Sequence, residues 1–229
     1  MDKYEPHGSI FSTLFGNIIL LNFIGLFRPM HFKVILFDAD GMVIVSKRFS
    51  DQLQADYGIT WDKMKPFFDG PFQRCKPGQA DLKEELAKVI DDWGWRGTVD
   101  ELVDLWFRSG STTDARMVEL IHALRERGVR CYLTSNQERY RGNYLRTQMG
   151  FDTLFDGLFI SAEIGCMKDD PRFFEHVLQT LHVANPALQP SEILFADDHQ
   201  ENIDVAESCG FKTHLYANHE IFTSSLHTS

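Results

Sequence analysis

Residues 31–41 read HFKVILFDADG. The run is apolar, rich in β-branched and aromatic residues, and stops at two acids and a glycine. A short apolar run bounded by turn residues reads as a buried strand. In extended backbone, side chains two apart point the same way, so Asp38 and Asp40 share one side. Gly41 permits a sharp exit. Two carboxylates this close repel each other, and a cation or a proton must compensate.

Working outward, residues 46–110 read as helical pieces at 49–57, 61–68, 79–92 and 98–108, with Gly70-Pro71 and Pro77-Gly78 as breaks. From Thr113 helices and strands alternate. Helices are expected at 114–127, 137–149, 171–182 and 199–208. Strands are expected at 129–133, 157–160, 192–196 and 211–215. Alternation of this kind predicts an α/β fold, a doubly wound parallel sheet with helices on both faces. The helical block interrupts that rhythm and reads as an α-helical cap (46–110) inserted into a core made of 30–45 and 111–229. No repeat or low-complexity tract is present.

The chain has 229 residues, 43% hydrophobic and 24% charged. That excludes a disordered chain and a multi-span membrane protein. Lys plus Arg total 23 against 33 Asp plus Glu, a net −10. Such a chain repels nucleic acid and anionic membranes, which disfavours both as partners; a small anionic substrate answers to local charge only. Cys75, Cys131, Cys166 and Cys209 form no C-x-x-C pair, which reads as reduced thiols in a cytoplasmic protein. Residues 8–27 carry no charge, a length that just spans a bilayer. Asn17, Asn22 and the absence of a basic n-region weigh against an anchor or signal peptide. We read residues 1–29 as an extension outside the domain, with an anchor or a packed helix as alternatives and Met30 as another possible start.

The polar residues gather where strands end, which is where open α/β sheets bind ligands. Asp38 and Asp40 follow the first strand, Thr134-Ser135-Asn136 the second, Lys168 the third and Asp197-Asp198 the fourth. Asp38, Asp40 and Asp198 form a hard oxygen set that suits Mg²⁺. Lys168 adds fixed positive charge and Ser135 a hydroxyl donor, so the set describes a site for a phosphoryl group. Bland readings compete. Ser135-Asn136 could cap the next helix, Thr134 could replace Ser135 as donor, Lys168 could be a surface lysine, and one of Asp197 and Asp198 could cap the helix after it. His199 reads as a rim residue, because Mg²⁺ prefers oxygen. Trp93, Trp95, Trp106 and Phe107 read as cap core. Arg48, Arg74 and Lys76 are the cap candidates for gripping a second anionic group or a sugar hydroxyl.

The ordered set FDADGM, LTSN, the lone lysine of EIGCMKDDPRFF, and ILFADDHQENI closely resembles the haloacid dehalogenase superfamily over about 31–216. The pattern looks like the subgroup with sugar-phosphate phosphatases and the phosphatase domain of soluble epoxide hydrolase. The resemblance implies a Rossmann-like core, and Asp38 as a nucleophile that becomes an aspartyl phosphate. It implies Asp40 as general acid and then base, with its backbone carbonyl on Mg²⁺. Ser135 would hold a phosphate oxygen, helped by Asn136. Lys168 would neutralise charge and Asp198 would bind the metal. Asp197 would orient Lys168 or a metal-bound water, and Asn202 would act behind the ligands. Family dehalogenases lack the acid at Asp40, so the resemblance favours hydrolysis of a small phosphorylated metabolite, a sugar phosphate among the candidates. A β-phosphoglucomutase-like phosphotransferase and a non-catalytic phosphometabolite sensor are the alternatives. The sequence does not set the oligomeric state.

Overall fold

The computed structural model describes residues 31–45, 48–109 and 111–228. The expectations for residues 1–29 lie outside that range. Five strands, β1 (Val34–Asp38), β2 (Arg130–Ser135), β3 (Gly157–Ile160), β4 (Ile193–Asp197) and β5 (Lys212–Leu215), form one sheet in the order β3-β2-β1-β4-β5. Every pairing is parallel. This is the doubly wound sheet that the alternation implies. All residues of β1 and β4 are buried, as expected of strands covered on both faces.

The helices between β1 and β2 are α1 (Phe49–Tyr57), α2 (Trp61–Asp69), α3 (Pro71–Cys75), α4 (Leu82–Ala87), α5 (Ile90–Trp93), α6 (Val99–Ser109) and α7 (Ala115–Glu126). After β2 come α8 (Arg139–Thr147), α9 (Phe151–Leu154), α10 (Ser161–Ile164), α11 (Pro171–Ala184), α12 (Gln200–Ser208) and α13 (His219–Thr228). On one face of the sheet, Val34, Leu36 and Phe195 pack with Phe173, Phe174 and Val177 of α11 and Ile203 of α12. Phe37 points to the other face by the two-residue alternation. There its ring lies 6.0 Å from Phe155 and 5.9 Å from Phe222. Helices α1 to α6 bury a separate cluster that includes Leu53, Met64, Phe67, Leu86, Trp93 and Leu102, with no sheet residue in it.

The cap departs from the expected helices in two places. The expected helix over 79–92 is broken: at Val89 the backbone leaves the helical well, with φ −129°, and α5 starts a new turn that buries Ile90 and Trp93. Gly70-Pro71, expected as a break, starts α3, with Pro71 in its first turn. Proline suits that position because its missing N–H would have no helical partner. Helices α9, α10 and α13 had no counterpart in the expected elements. The four cysteines are unpaired, three of them buried. No helix among the described residues is long and apolar enough to cross a membrane.

Asp81 ties cap to core. Its Oδ1 caps α4 by accepting the Lys83 and Glu84 N–H groups, and its Oδ2 accepts from Tyr140 Oη of α8 at 2.7 Å. Burial would raise this carboxyl, but the bonds from Tyr140, Glu84 and Lys83 outweigh it and hold it below its ordinary value. An acid depressed in the fold stabilises above its unfolded pKa, and that contribution is lost as pH falls through the folded value. Asp81→Ala is therefore expected to cost about 1 kcal/mol, a fall of a few degrees in Tm at neutral pH. Calorimetry should show the gap to wild type closing below about pH 4.

Candidate active site

The sheet register places the motifs. Asp38 lies opposite Thr134, and Phe37 opposite Ala196, so the carboxyl ends of β1, β2 and β4 deliver Asp38, Ser135 and Asp197 to one edge. The central position of β1 makes this the crevice where the winding reverses, the usual ligand position of such sheets.

Lys168 is at the centre, only 2% exposed. Its Nζ donates to Asp38 Oδ1 at 2.5 Å and to Asp197 Oδ2 at 2.6 Å, so it is no surface lysine. Burial alone would push its ammonium down; Asp38 and Asp197 outweigh that and hold it above its ordinary value. Its backbone N–H donates to Asn136 Oδ1 at 2.9 Å, which ties the loop after β3 to the loop after β2. Asn202 Nδ2 donates to both oxygens of Asp197, each at 3.1 Å.

Burial pushes the Asp38 carboxyl up to about 7, against the pull of Lys168. One lysine serves two buried acids, and the negative charge is undercompensated. Asp198 stands beside them: Asp38, Asp197, Asp198 and His199 each bring a ligand atom within 4.8 Å of all the others. Gly41 makes this approach possible. It sits at φ +87°, and a Cβ there would collide with the Asp198 carboxylate. The donor set is mainly hard carboxylate oxygen, crowded and short of positive charge, which fits a hard divalent cation.

Asp40 is exposed to the cleft, yet the protein crowds the rest of its side chain. That crowding raises its carboxyl despite Arg141, Lys168 and a hydrogen bond from Gln137 Nε2. A raised carboxyl keeps a proton to give.

The bland readings at the strand ends resolve as follows. Thr134 Oγ1 donates to the Phe37 carbonyl at 3.1 Å, so it is committed to the fold. Ser135 is buried at the end of β2 and lines a cavity with Asp38 and Lys168. Neither Ser135 nor Asn136 caps α8. Glu138 does, accepting the N–H groups of Tyr140 at 2.7 Å and Arg141 at 2.5 Å. Neither Asp197 nor Asp198 caps α12, whose N-terminal residue His199 makes no side-chain cap. Asp197 Oδ1 instead accepts the His199 N–H at 2.8 Å, and His199 Nδ1 lies 2.6 Å from Asp198 Oδ1. His199 keeps the expected rim position, its side chain 71% exposed while Nδ1 contacts Asp198.

Two cavities meet at this edge. The smaller, about 410 Å³, holds Asp38, Ser135, Lys168, Asn202 and, from the cap, Lys76. The larger, about 1080 Å³, runs under the cap and is lined by Arg48, Trp106 and Phe107 among others. Asp40, Asn136, Gln137 and His199 line both. Arg74 is exposed and lines neither. Sequence reasoning missed Gln137 and Arg141, and read Trp106 and Phe107 as cap core alone, although both also face the cavity. Gln137 stands one residue beyond the Ser-Asn pair, the only signal that could have marked it.

The match to the haloacid dehalogenase-like hydrolase family spans residues 32–210, and the chain belongs to that family. A sesquiterpene phosphatase of Aspergillus oryzae is 36% identical to it over 189 residues, 78% of this chain and 87% of the relative. A D-ribitol-5-phosphate phosphatase of Bacteroides thetaiotaomicron is 26% identical over 193 residues, 79% and 90% of the two chains. The crystal structure of a family enzyme from Bacteroides thetaiotaomicron, in complex with magnesium and inorganic phosphate, shares the fold. Its TM-score is 0.67 at 21% identity, over 81% of this chain and 94% of that one.

Proposed function

We propose that the chain is a Mg²⁺-dependent phosphatase that hydrolyses a small phosphomonoester through an aspartyl phosphate. The observation that carries this reading is the Lys168 bridge between Asp38 and Asp197, with Asp40 two residues beyond Asp38 on the cleft wall. The two relatives above are phosphatases by name, which supports it.

Asp38 is the nucleophile. One of its carboxylate oxygens forms a bond to phosphorus as the bond from phosphorus to the alkoxy oxygen breaks. Lys168 orients Asp38 and offsets charge on the phosphoryl oxygens. The Ser135 hydroxyl and Asn136 hold a phosphoryl oxygen in the smaller cavity. Asp40 gives its proton to the leaving oxygen, then takes one from the water that attacks phosphorus and frees Asp38. Asp38, Asp198 and the Asp40 carbonyl would hold Mg²⁺, with Asp197 and Asn202 behind them; the cation supplies charge neutralisation at the phosphoryl oxygens. The unpaired cysteines, three of them buried, support a cytoplasmic location.

The test is phosphate release from a panel of phosphomonoesters, with Mg²⁺ and with a chelator. Release that the chelator abolishes and Mg²⁺ restores is the expected result. An ester whose phosphate moves to a new position without release would assign a phosphotransferase instead.

A further inference from the structure

The smaller cavity carries the phosphoryl machinery and is polar. The larger one has a different character. Its cap wall and floor bring together Phe49, Phe72, Trp106, Phe107, Ile44 and Val45. Phe49 stacks on Trp106, with centroids 5.1 Å apart and an angle of 11°, and the Phe72 ring packs on the same indole at 5.3 Å, tilted by 48°. The wall is a braced aromatic surface. Val45, on the same lining, is 46% exposed.

The polar residues around this cavity are largely committed to the fold. Ser109 Oγ donates to the Trp106 carbonyl at 2.9 Å. Glu138 accepts two backbone N–H groups. Arg141 Nη1 donates to the Phe107 carbonyl at 3.0 Å and to Ser111 Oγ at 2.6 Å, and its guanidinium lies over the Phe107 and Tyr144 rings. A polyol needs several placed donors and acceptors, one set per hydroxyl, or its desolvated hydroxyls lose more than they gain. The cap itself adds Arg48; Asn136, Gln137, Asp198 and His199 stand with Asp40 at the catalytic edge of the cavity, where the phosphoryl group sits, and Thr112 completes the polar lining.

Asp40 lines both cavities. A general acid must sit at the bond between phosphorus and the leaving alcohol, so the alcohol extends from Asp40 into the larger space. Resting on the phosphatase reading above, we propose that the leaving alcohol is a hydrocarbon, and that the natural substrate is an apolar phosphomonoester held by Trp106, Phe72 and Val45 rather than a sugar phosphate held by cap cations.

The test compares two dianionic monoesters of similar phosphate chemistry, geranyl monophosphate below its micelle concentration and ribitol 5-phosphate. Binding is measured by calorimetry with Mg²⁺ present, on the Asp38→Asn protein so that neither ester turns over. The geranyl ester is expected to bind at least about tenfold more tightly, since each buried methylene adds to affinity. Trp106→Ala in the same background is expected to erase most of that preference. Val45→Asp, at an exposed position that leaves the cap core intact, should erase it as well and serves if the tryptophan variant does not fold. Equal binding, tighter binding of the polyol ester, binding of neither, or a preference that survives both substitutions overturns the inference. Phosphate release by wild-type protein from ribitol 5-phosphate alone would do so while leaving the phosphatase reading standing. A geranyl preference with no release from any ester would overturn that reading and leave the apolar site.

Discussion

Lys168→Met is expected to reduce phosphate release at least ~10²–10³-fold and to destabilise the chain by roughly 3–5 kcal/mol. Methionine follows the lysine chain as far as Cε, with sulfur in place of the δ methylene, and lacks the ammonium. What it leaves behind is Asp38 and Asp197, 5% and 0% exposed, with no cation between them. Breaking a buried pair from one side costs more than the pair contributes, because the remaining charge is stranded in low dielectric. Asn202 still donates to Asp197, but an amide does not neutralise a carboxylate. Without the pull of the ammonium, the Asp38 carboxyl, already raised by burial, rises further. Acids raised in the fold lose stability as pH rises from their unfolded values toward their folded ones. The deficit against wild type should therefore be large at pH 7 and should shrink toward pH 4, read as Tm against pH. Lys168→Arg keeps the charge but brings a planar fork to a slot sized for a point charge. It should recover part of the stability and little of the activity. A Lys168→Met protein with wild-type Tm and pH profile would show that the ammonium does not hold the pair.

The sheet, its order of elements and the clustering of acids at the strand ends were legible in the sequence for a physical reason. Parallel strands buried on both faces leave unbroken apolar runs such as Val34–Phe37 and Ile193–Ala196, and each run must stop where the chain meets solvent. At those stops polar residues are conspicuous, and the site is built there. The cap was legible only as helix. Its fracture at Val89 depends on how Ile90 and Trp93 reach a shared cluster, which no local pattern encodes. The capping readings give way for a related reason: Ser135, Asn136, Asp197 and Asp198 all have good capping chemistry, yet none of them caps a helix, and Glu138, a poor cap on composition, takes the place at α8. The two faces of Trp106 and Phe107, core on one side and cavity on the other, are a property of how cap and sheet meet. Arg74 and Lys76, alike in the sequence, part company for the same reason. Lys76 reaches the smaller cavity, and Arg74 points into neither space.

Asp38→Asn is expected to abolish hydrolysis, a loss of at least about 10³-fold, because an amide oxygen is no nucleophile toward phosphorus at neutral pH. The same change is expected to raise stability in protein freed of divalent cations. Burial pushes the Asp38 carboxyl up to about 7, so the folded chain takes up a proton that the unfolded chain, with an ordinary value of 3.8, has released. Between those two values wild type loses stability as pH rises. Asparagine never ionises, and it leaves Lys168 matched one to one with Asp197 at 2.6 Å. The Tm of the variant should exceed that of wild type by several degrees at pH 7, and the two should converge near pH 4. Mg²⁺ should reverse the order. A cation that binds the folded state alone stabilises it by mass action, and under the proposed ligand set wild type would hold it with Asp38, Asp198 and the Asp40 carbonyl, where the variant lacks the first. Titrating Mg²⁺ while following Tm thus separates two roles of one carboxylate. Activity lost with the Mg²⁺-dependent rise in Tm intact would make Asp38 a nucleophile that the cation does not need. Activity and the rise lost together would make it both nucleophile and ligand, which is the arrangement the cluster of Asp38, Asp197 and Asp198 favours.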